Sequence, residues 1–223
     1  MKNRILFFLL SATLLVHIAC KKTGFLLKGN LQGFQHLGIP VHDIEKSKAW
    51  YTEKLGFQVV HEPKVPTDQG DIKVAFLKRH DMMLELYQLL GSDLEEVKAR
   101  KHGHIDHLAV DVLNIDTALE DVLKAGAELA ESTPNGPVPI DVFYSKGITY
   151  VILKGPNGEK VELNQRLDLK TSRRKENLGG WSHLGIPVTD IERSKEFYNR
   201  LGFNEVMYAE IPAENQVIKA SIM

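Results

Sequence analysis

From residue 34 to residue 167, apolar and polar positions alternate with a period of two in eight short runs, at 34–41, 57–62, 72–78, 82–88, 105–112, 142–145, 148–153 and 159–165. That period predicts half-buried strands. Two stretches break it with a period near that of a helix. Ile115, Ala118, Leu119, Val122 and Leu123 form one apolar stripe behind the capping residue Asn114, and Ile44, Tyr51 and Leu55 form a weaker one behind Asp43. Each predicted helix stops at a glycine, in Lys54-Leu55-Gly56 and Lys124-Ala125-Gly126, where the residue past the last turn favours positive φ. Turn signals fall at 78–81 and at Pro156-Asn157-Gly158. The order is strand, helix and three strands, written twice, which is an α+β pattern of two βαβββ units.

Two layers of repetition support this reading. His36-Leu37-Gly38-Ile39-Pro40-Val41 returns letter for letter as His183-Leu184-Gly185-Ile186-Pro187-Val188, an offset of 147 (183 − 36). The match continues through Asp43-Ile44-Glu45 and Asp190-Ile191-Glu192, through Tyr51 and Tyr198, and through Leu55-Gly56-Phe57 and Leu201-Gly202-Phe203 after a one-residue deletion. Inside the first copy, His36-Leu37 resembles His107-Leu108, and each half closes on a strand with a central glutamate, Leu84-Glu85-Leu86 and Val161-Glu162-Leu163. Residues 34–167 are thus expected to form a complete module, 168–180 a polar linker, and 181–223 an incomplete second copy. That copy stops before any counterpart of Glu85, so His183 is expected to be an inherited strand residue without ligand partners. A half-unit of this kind presents an open sheet edge, and is expected to be either a truncated fragment or a half that pairs with another subunit.

Alternation also sorts chemistry. Leu37, Ile39 and Val41 share one face and can pack on a helix, which leaves His36 on the other. The same rule sets His107 opposite Leu108, Val110 and Val112, Glu85 opposite Leu84 and Leu86, and Glu162 opposite Val161 and Leu163. Two imidazoles and two carboxylates then lie on the non-helix faces of four strands, and they converge in one cavity if the halves pair about a pseudo-two-fold axis. A divalent cation relieves the repulsion between two carboxylates there, and mixed nitrogen and oxygen donors suit Zn, Ni, Co, Fe or Mn at about 2.0–2.2 Å. His42, His61, His80, His102 and His104 fall outside the pattern and are expected at the surface.

Composition adds two constraints. With 28 basic and 29 acidic residues, the net charge of −1 offers no field for nucleic acid. The first nineteen residues have the layout of an export signal: Lys2 and Arg4, an apolar run from Ile5 to Val16, then small Ala19 before Cys20. The run is shorter than the ~20 residues that span a bilayer. His17-Ile18-Ala19-Cys20 resembles a bacterial lipobox, which implies lipidation at Cys20, a tether over 20–33, and an exported bacterial lipoprotein anchored in a membrane.

The His-Leu-Gly-Ile-Pro-Val start, Lys48-Ala49-Trp50-Tyr51, Lys54-Leu55-Gly56-Phe57, His107-Leu108-Ala109-Val110 and the closing Pro156-Asn157-Gly158-Glu159-Lys160-Val161-Glu162-Leu163 resemble the vicinal oxygen chelate superfamily of glyoxalases, epimerases, extradiol dioxygenases and bleomycin-resistance proteins. The resemblance implies paired βαβββ units in a U-shaped mixed sheet around one divalent metal, with ligands at His36, Glu85, His107 and Glu162. It implies a glyoxalase-like lyase or isomerase acting on a small oxygenated metabolite through an enediolate-type intermediate, with Glu85 or Glu162 moving the proton. Glutamate at position 85 is the glyoxalase I choice. Pro40 and Leu89 stand where bacterial glyoxalase I places arginine and a polar amide, which points away from glutathione as co-substrate. The alternatives are an Fe(II) extradiol oxygenase, which uses two histidines and one glutamate, and a non-enzymatic drug- or metabolite-binding protein. A homodimer is compatible with either.

Overall fold

The computed structural model describes residues 33–99, 105–169, 176–213 and 216–223. The segment expected to act as an export signal, Cys20, His102, His104 and the middle of the expected linker lie outside the described residues. The first unit runs β1 (Leu37–Pro40), α1 (Ile44–Leu55), β2 (Gln58–His61), β3 (Lys64–Thr67), β4 (Gly70–Arg79) and β5 (Met82–Gln88). A short helix, α2 (Gly91–Ala99), leads to the second unit: β6 (His107–Val112), α3 (Ile115–Lys124), β7 (Val138–Ile140), β8 (Ile148–Lys154) and β9 (Lys160–Arg166). The last unit has β10 (Leu178–Gly185), α4 (Ile191–Arg200), β11 (Met207–Ala213) and β12 (Gln216–Ile222). The α+β class and the paired βαβββ plan are as expected.

The first sheet is ordered β1-β5-β4-β2, with β3 also paired to β4, and the second is ordered β10-β6-β9-β8-β7. In both, the unit's first strand runs parallel to its last, β1 to β5 and β6 to β9, while the other pairs are antiparallel. The apolar faces named by alternation meet in one core. Leu37, Val41, Leu84 and Leu86 from the first unit join Leu108, Val110, Val161 and Leu163 from the second, with Tyr51, Leu55, Ala118 and Val122 from the helices. Tyr51 is fully buried, and its hydroxyl reaches across the units to donate to Glu159 Oε1 at 2.8 Å.

Each unit uses the same device to seat its helix. Asp43 and Asn114 accept backbone N–H bonds of the first turns, and Gln88 and Gln165, at the ends of β5 and β9, accept from the N–H of Ile44 and Ile115 at 2.9 Å. These are donors that a helix cannot satisfy internally. Gly56 closes α1 at φ +68°, where its N–H bonds back to Thr52.

Three elements differ from expectation. The strand expected at 142–145 is instead a turn, with Tyr144 at φ +53° and Gly147 at φ +82°, and the pairing strand lies earlier, at β7. Phe143 explains the misleading apolar signal: it is buried in a satellite cluster with Ile148 and Ala209 rather than in a ladder. Strand β3 and helix α2 were not anticipated, because β3 is exposed throughout and α2 buries only Val97, so neither carries an amphipathic pattern.

Candidate metal centre

Strands β6 and β9 run side by side with His107 opposite Lys160 and Ala109 opposite Glu162. Their cavity-side residues meet: His107 Nε2 lies 3.5 Å from Glu162 Oε2. The free edge of β6 is taken by β10, in antiparallel register with His183 opposite Ala109, Leu184 opposite Leu108 and Gly185 opposite His107. This brings His183 Nε2 to 3.0 Å from His107 Nε2 and 3.7 Å from Glu162 Oε1. One donor atom of each residue lies within 4.8 Å of the others, the one group of three or more such residues among the described ones. Gly185 makes the approach possible. A Cβ there would lie 2.1 Å from His107 Cε1, although the glycine has no left-handed backbone to demand it.

The surroundings orient these donors. Asp106 Oδ2 lies 3.0 Å from His107 Nδ1 and Lys160 Nζ lies 2.8 Å from Asp106 Oδ1. A carboxylate only accepts, so Nδ1 of His107 carries the proton and its Nε2 lone pair faces the cluster. Burial raises the Asp106 pKa, but the bonds from His107 and Lys160 outweigh it and hold the group below the usual value. His183 is pushed down to about 4, first by burial and then by His107, so it is neutral and able to ligate at neutral pH. Glu162 is 5% exposed; burial raises its pKa, while the neighbouring His107 ring and the bond from Asn164 Nδ2 to Oε1 at 2.7 Å oppose the rise.

His36 and Glu85 stand outside this cluster as a separate pair. His36 Nε2 is 3.1 Å from Glu85 Oε2, and its ring meets Phe76 edge-on at 5.8 Å. The four residues expected around one ion are therefore distributed over two places, His36 with Glu85 and His107 with Glu162. The reason is topological. The first strands of the two complete units do not pair with each other, because β10 occupies the edge of β6. His183, expected to lack partners, is instead the third member of the cluster. Its signal was present in the sequence, since a segment identical to 36–41 has an equal claim on the edge of β6.

The profile of the Glyoxalase/Bleomycin resistance protein/Dioxygenase superfamily matches residues 33–163, more than half of the chain. The chain belongs to this superfamily. A second family, Bleomycin resistance protein-like N-terminal, matches residues 182–207, at the start of the repeat. Human mitochondrial methylmalonyl-CoA epimerase is 30% identical over 140 residues, covering 61% of this chain and 75% of that protein. The bovine enzyme is 34% identical over 96 residues, covering 42% of this chain. The crystal structure of maize glyoxalase I superposes with a TM-score of 0.61 at 22% identity over 80% of this chain. The chain spans only 54% of the bovine epimerase and 58% of the maize protein. The relatives thus include an epimerase, an enzyme of isomerase type, and the maize structure shares the fold.

The donor set fits a metal. Two imidazole nitrogens and one carboxylate oxygen suit a first-row divalent ion, and a buried carboxylate beside two imidazoles is better compensated by a cation than by neutral rings.

Proposed function

We propose that this chain is a metal-dependent isomerase or lyase acting on a small oxygenated metabolite, with its ion held by His107, Glu162 and His183. The observation that carries the reading is the convergence of those three donors between β6, β9 and β10. Similarity to methylmalonyl-CoA epimerase supports the reaction class. Held by His107, Glu162 and His183, a divalent ion would supply Lewis acidity toward a substrate oxygen and so make the neighbouring carbon–hydrogen bond more acidic. Asp106 fixes the His107 tautomer, so that ring is already oriented before substrate arrives. Asn164 holds Oε1 of Glu162, leaving Oε2 as the atom suited to take and return a proton. Glu85 pairs with His36 in its own place, apart from this centre.

The test measures metal-dependent exchange of carbon-bound hydrogen with solvent deuterium, by NMR, over a panel of α-oxo acids, α-hydroxy ketones and acyl thioesters. Exchange that needs Zn²⁺, Ni²⁺, Co²⁺ or Mn²⁺ and is lost in Glu162→Gln supports the reading. Absence of exchange across the panel in metal-loaded protein overturns it.

The same cluster favours one second reading. Two histidines and one carboxylate with open positions is the set used by non-haem Fe(II) oxygenases. Oxygen uptake with catechols under Fe²⁺, and none with the other ions, would select it. Tight ligand binding by metal-free protein would instead select a non-enzymatic binder. We place this activity on an exported lipoprotein, supported by the layout ending at Cys20. Fatty-acid labelling that disappears in Cys20→Ser tests that placement.

A further inference from the structure

We propose that the turn between β4 and β5 serves the metal centre from a distance. Arg79 and Asp81 are positioning residues that hold a bulge in β10, and the bulge turns His183 toward His107 and Glu162. The inference rests on the reading that these three donors share an ion.

Strand β10 lies on β6 with its register broken twice. Leu178 stands opposite Val112, Trp181 opposite Val110 and His183 opposite Ala109, with a shift between each pair and the next. Directly opposed residues share one face of a sheet. Val110 and Val112 belong to the core, and Leu178, Trp181 and Leu184 pack against it. Ala109 is on the other face, with His107. Trp181 and His183 are two residues apart, so plain alternation would turn both into the core. Continued unbroken from Trp181, the ladder would set His183 opposite Leu108. The second shift prevents this, because a slip of one residue moves a side chain to the other face. His183 thus reaches the centre only through the bulge.

The first unit takes backbone groups at both ends of the first break. Arg79 Nη2 donates to Leu178 O at 2.8 Å, and the Trp181 N–H donates to Asp81 Oδ1 at 3.2 Å. A bulge leaves backbone groups out of the ladder, and such groups need another partner. Alternation along β4 places Arg79 on the face of Ala75 and Leu77, and its guanidinium emerges where α1 ends. Nη1 donates there to Gly56 O at 3.2 Å. A Cβ at Gly56 would lie 2.6 Å from that nitrogen, so the glycine that closes α1 also clears the guanidinium. Arg79 pairs with Glu176 at 2.9 Å as well, but Glu176 is 60% exposed and this ion pair adds little. Nε of Arg79 is the one buried side-chain nitrogen or oxygen without a partner among the described residues. Leaving it so costs free energy, and the other bonds of the guanidinium outweigh that cost.

Strand β10 is therefore tied to two units, to β6 by its ladder and to the β4–β5 turn by Arg79 and Asp81. Released from the turn, it can slip by one residue and carry His183 away from His107 Nε2, which now lies 3.0 Å from its own Nε2.

The test uses the full chain, stripped with chelator and titrated with Zn²⁺ against a chromophoric competitor. Amide exchange of β10 is read on the metal-free protein. Arg79→Met and Asp81→Ala, each with unchanged circular dichroism, should weaken zinc binding by about 10- to 100-fold, as loss of support to a metal ligand does. Both should speed exchange in β10. His183→Ala binds zinc weakly by itself, and adding Arg79→Met should weaken it no further, because Arg79 acts through His183. Asp81→Ala removes one exposed hydrogen bond and carries the comparison alone if Arg79→Met does not fold. Wild-type zinc affinity in the folded variants overturns the inference and leaves the metal reading standing. So do losses that add in the double variant, which would make Arg79 a general support of the fold. A wild-type chain that binds no zinc overturns both.

Discussion

Asp106 is where a single residue most controls the candidate centre. It accepts a hydrogen bond from Nδ1–H of His107 and is itself held by Lys160. Asp106→Asn keeps the shape but lets the ring turn or change tautomer, and metal affinity should fall by about 10- to 100-fold in competition with a chromophoric chelator. Glu162 separates function from stability. Its carboxylate is 5% exposed, with one oxygen bonded to Asn164, so the metal-free protein carries an acid that burial disfavours. Glu162→Gln should abolish metal binding while leaving metal-free stability in urea unchanged or higher, by up to about 1 kcal/mol. A metal-free loss of several kcal/mol would mean that the carboxylate is structural.

Helices α1 and α4 come from the same repeated sequence and have different fates. In α1, Ile44, Tyr51 and Leu55 are at most 2% exposed, while α4 has no buried residue although Ile191, Tyr198 and Leu201 are their counterparts. Both helices are capped by an aspartate: Asp43 accepts from Glu45 and Lys46, and Asp190 accepts from Arg193. A cap contributes to global stability only when its helix is coupled to the core. Asp43→Ala should therefore cost about 1 kcal/mol in global urea unfolding. Asp190→Ala should change that transition by less than about 0.5 kcal/mol, because α4 opens locally. In the core, Leu153→Ala removes a fully buried side chain where both units meet and should cost about 2–5 kcal/mol.

At the scale of the molecule, β6 is the strand around which the site is organised, paired to β9 on one side and β10 on the other. Its amides should exchange with solvent only through global unfolding, whereas β11 and β12, a two-stranded sheet on their own, should exchange by local opening. The ion proposed at His107, Glu162 and His183 would tie β6, β9 and β10 together. Loading at 100 times the dissociation constant should add about 2.7 kcal/mol to stability. Exchange in β10 should slow while β12 is little affected. Equal slowing of both would show that the last unit moves as one body.

The sequence by itself determined the local architecture. Period-two runs marked the strands and glycine stops ended the helices. The faces of Leu37, Val110 and Leu163 were legible because alternation is set by the pleat of a strand and needs no partner. The donor residues His107 and Glu162 were legible for the same reason, as the polar positions opposite those faces. Turn 141–147 was not, because Phe143 is buried through a loop that obeys no period. Nor was the choice of strand at the edge of β6. Segments 36–41 and 183–188 are the same six residues, and local propensity cannot rank them. Only the tertiary structure decided between them: β1 is held parallel to β5 with its helix face in the core, while β10 lies antiparallel on β6. That pairing replaced His36 with His183 beside His107 and divided one expected site into two. The physical reason is that a ligand set depends on which edges meet, and an edge contact is fixed by the packing of whole units.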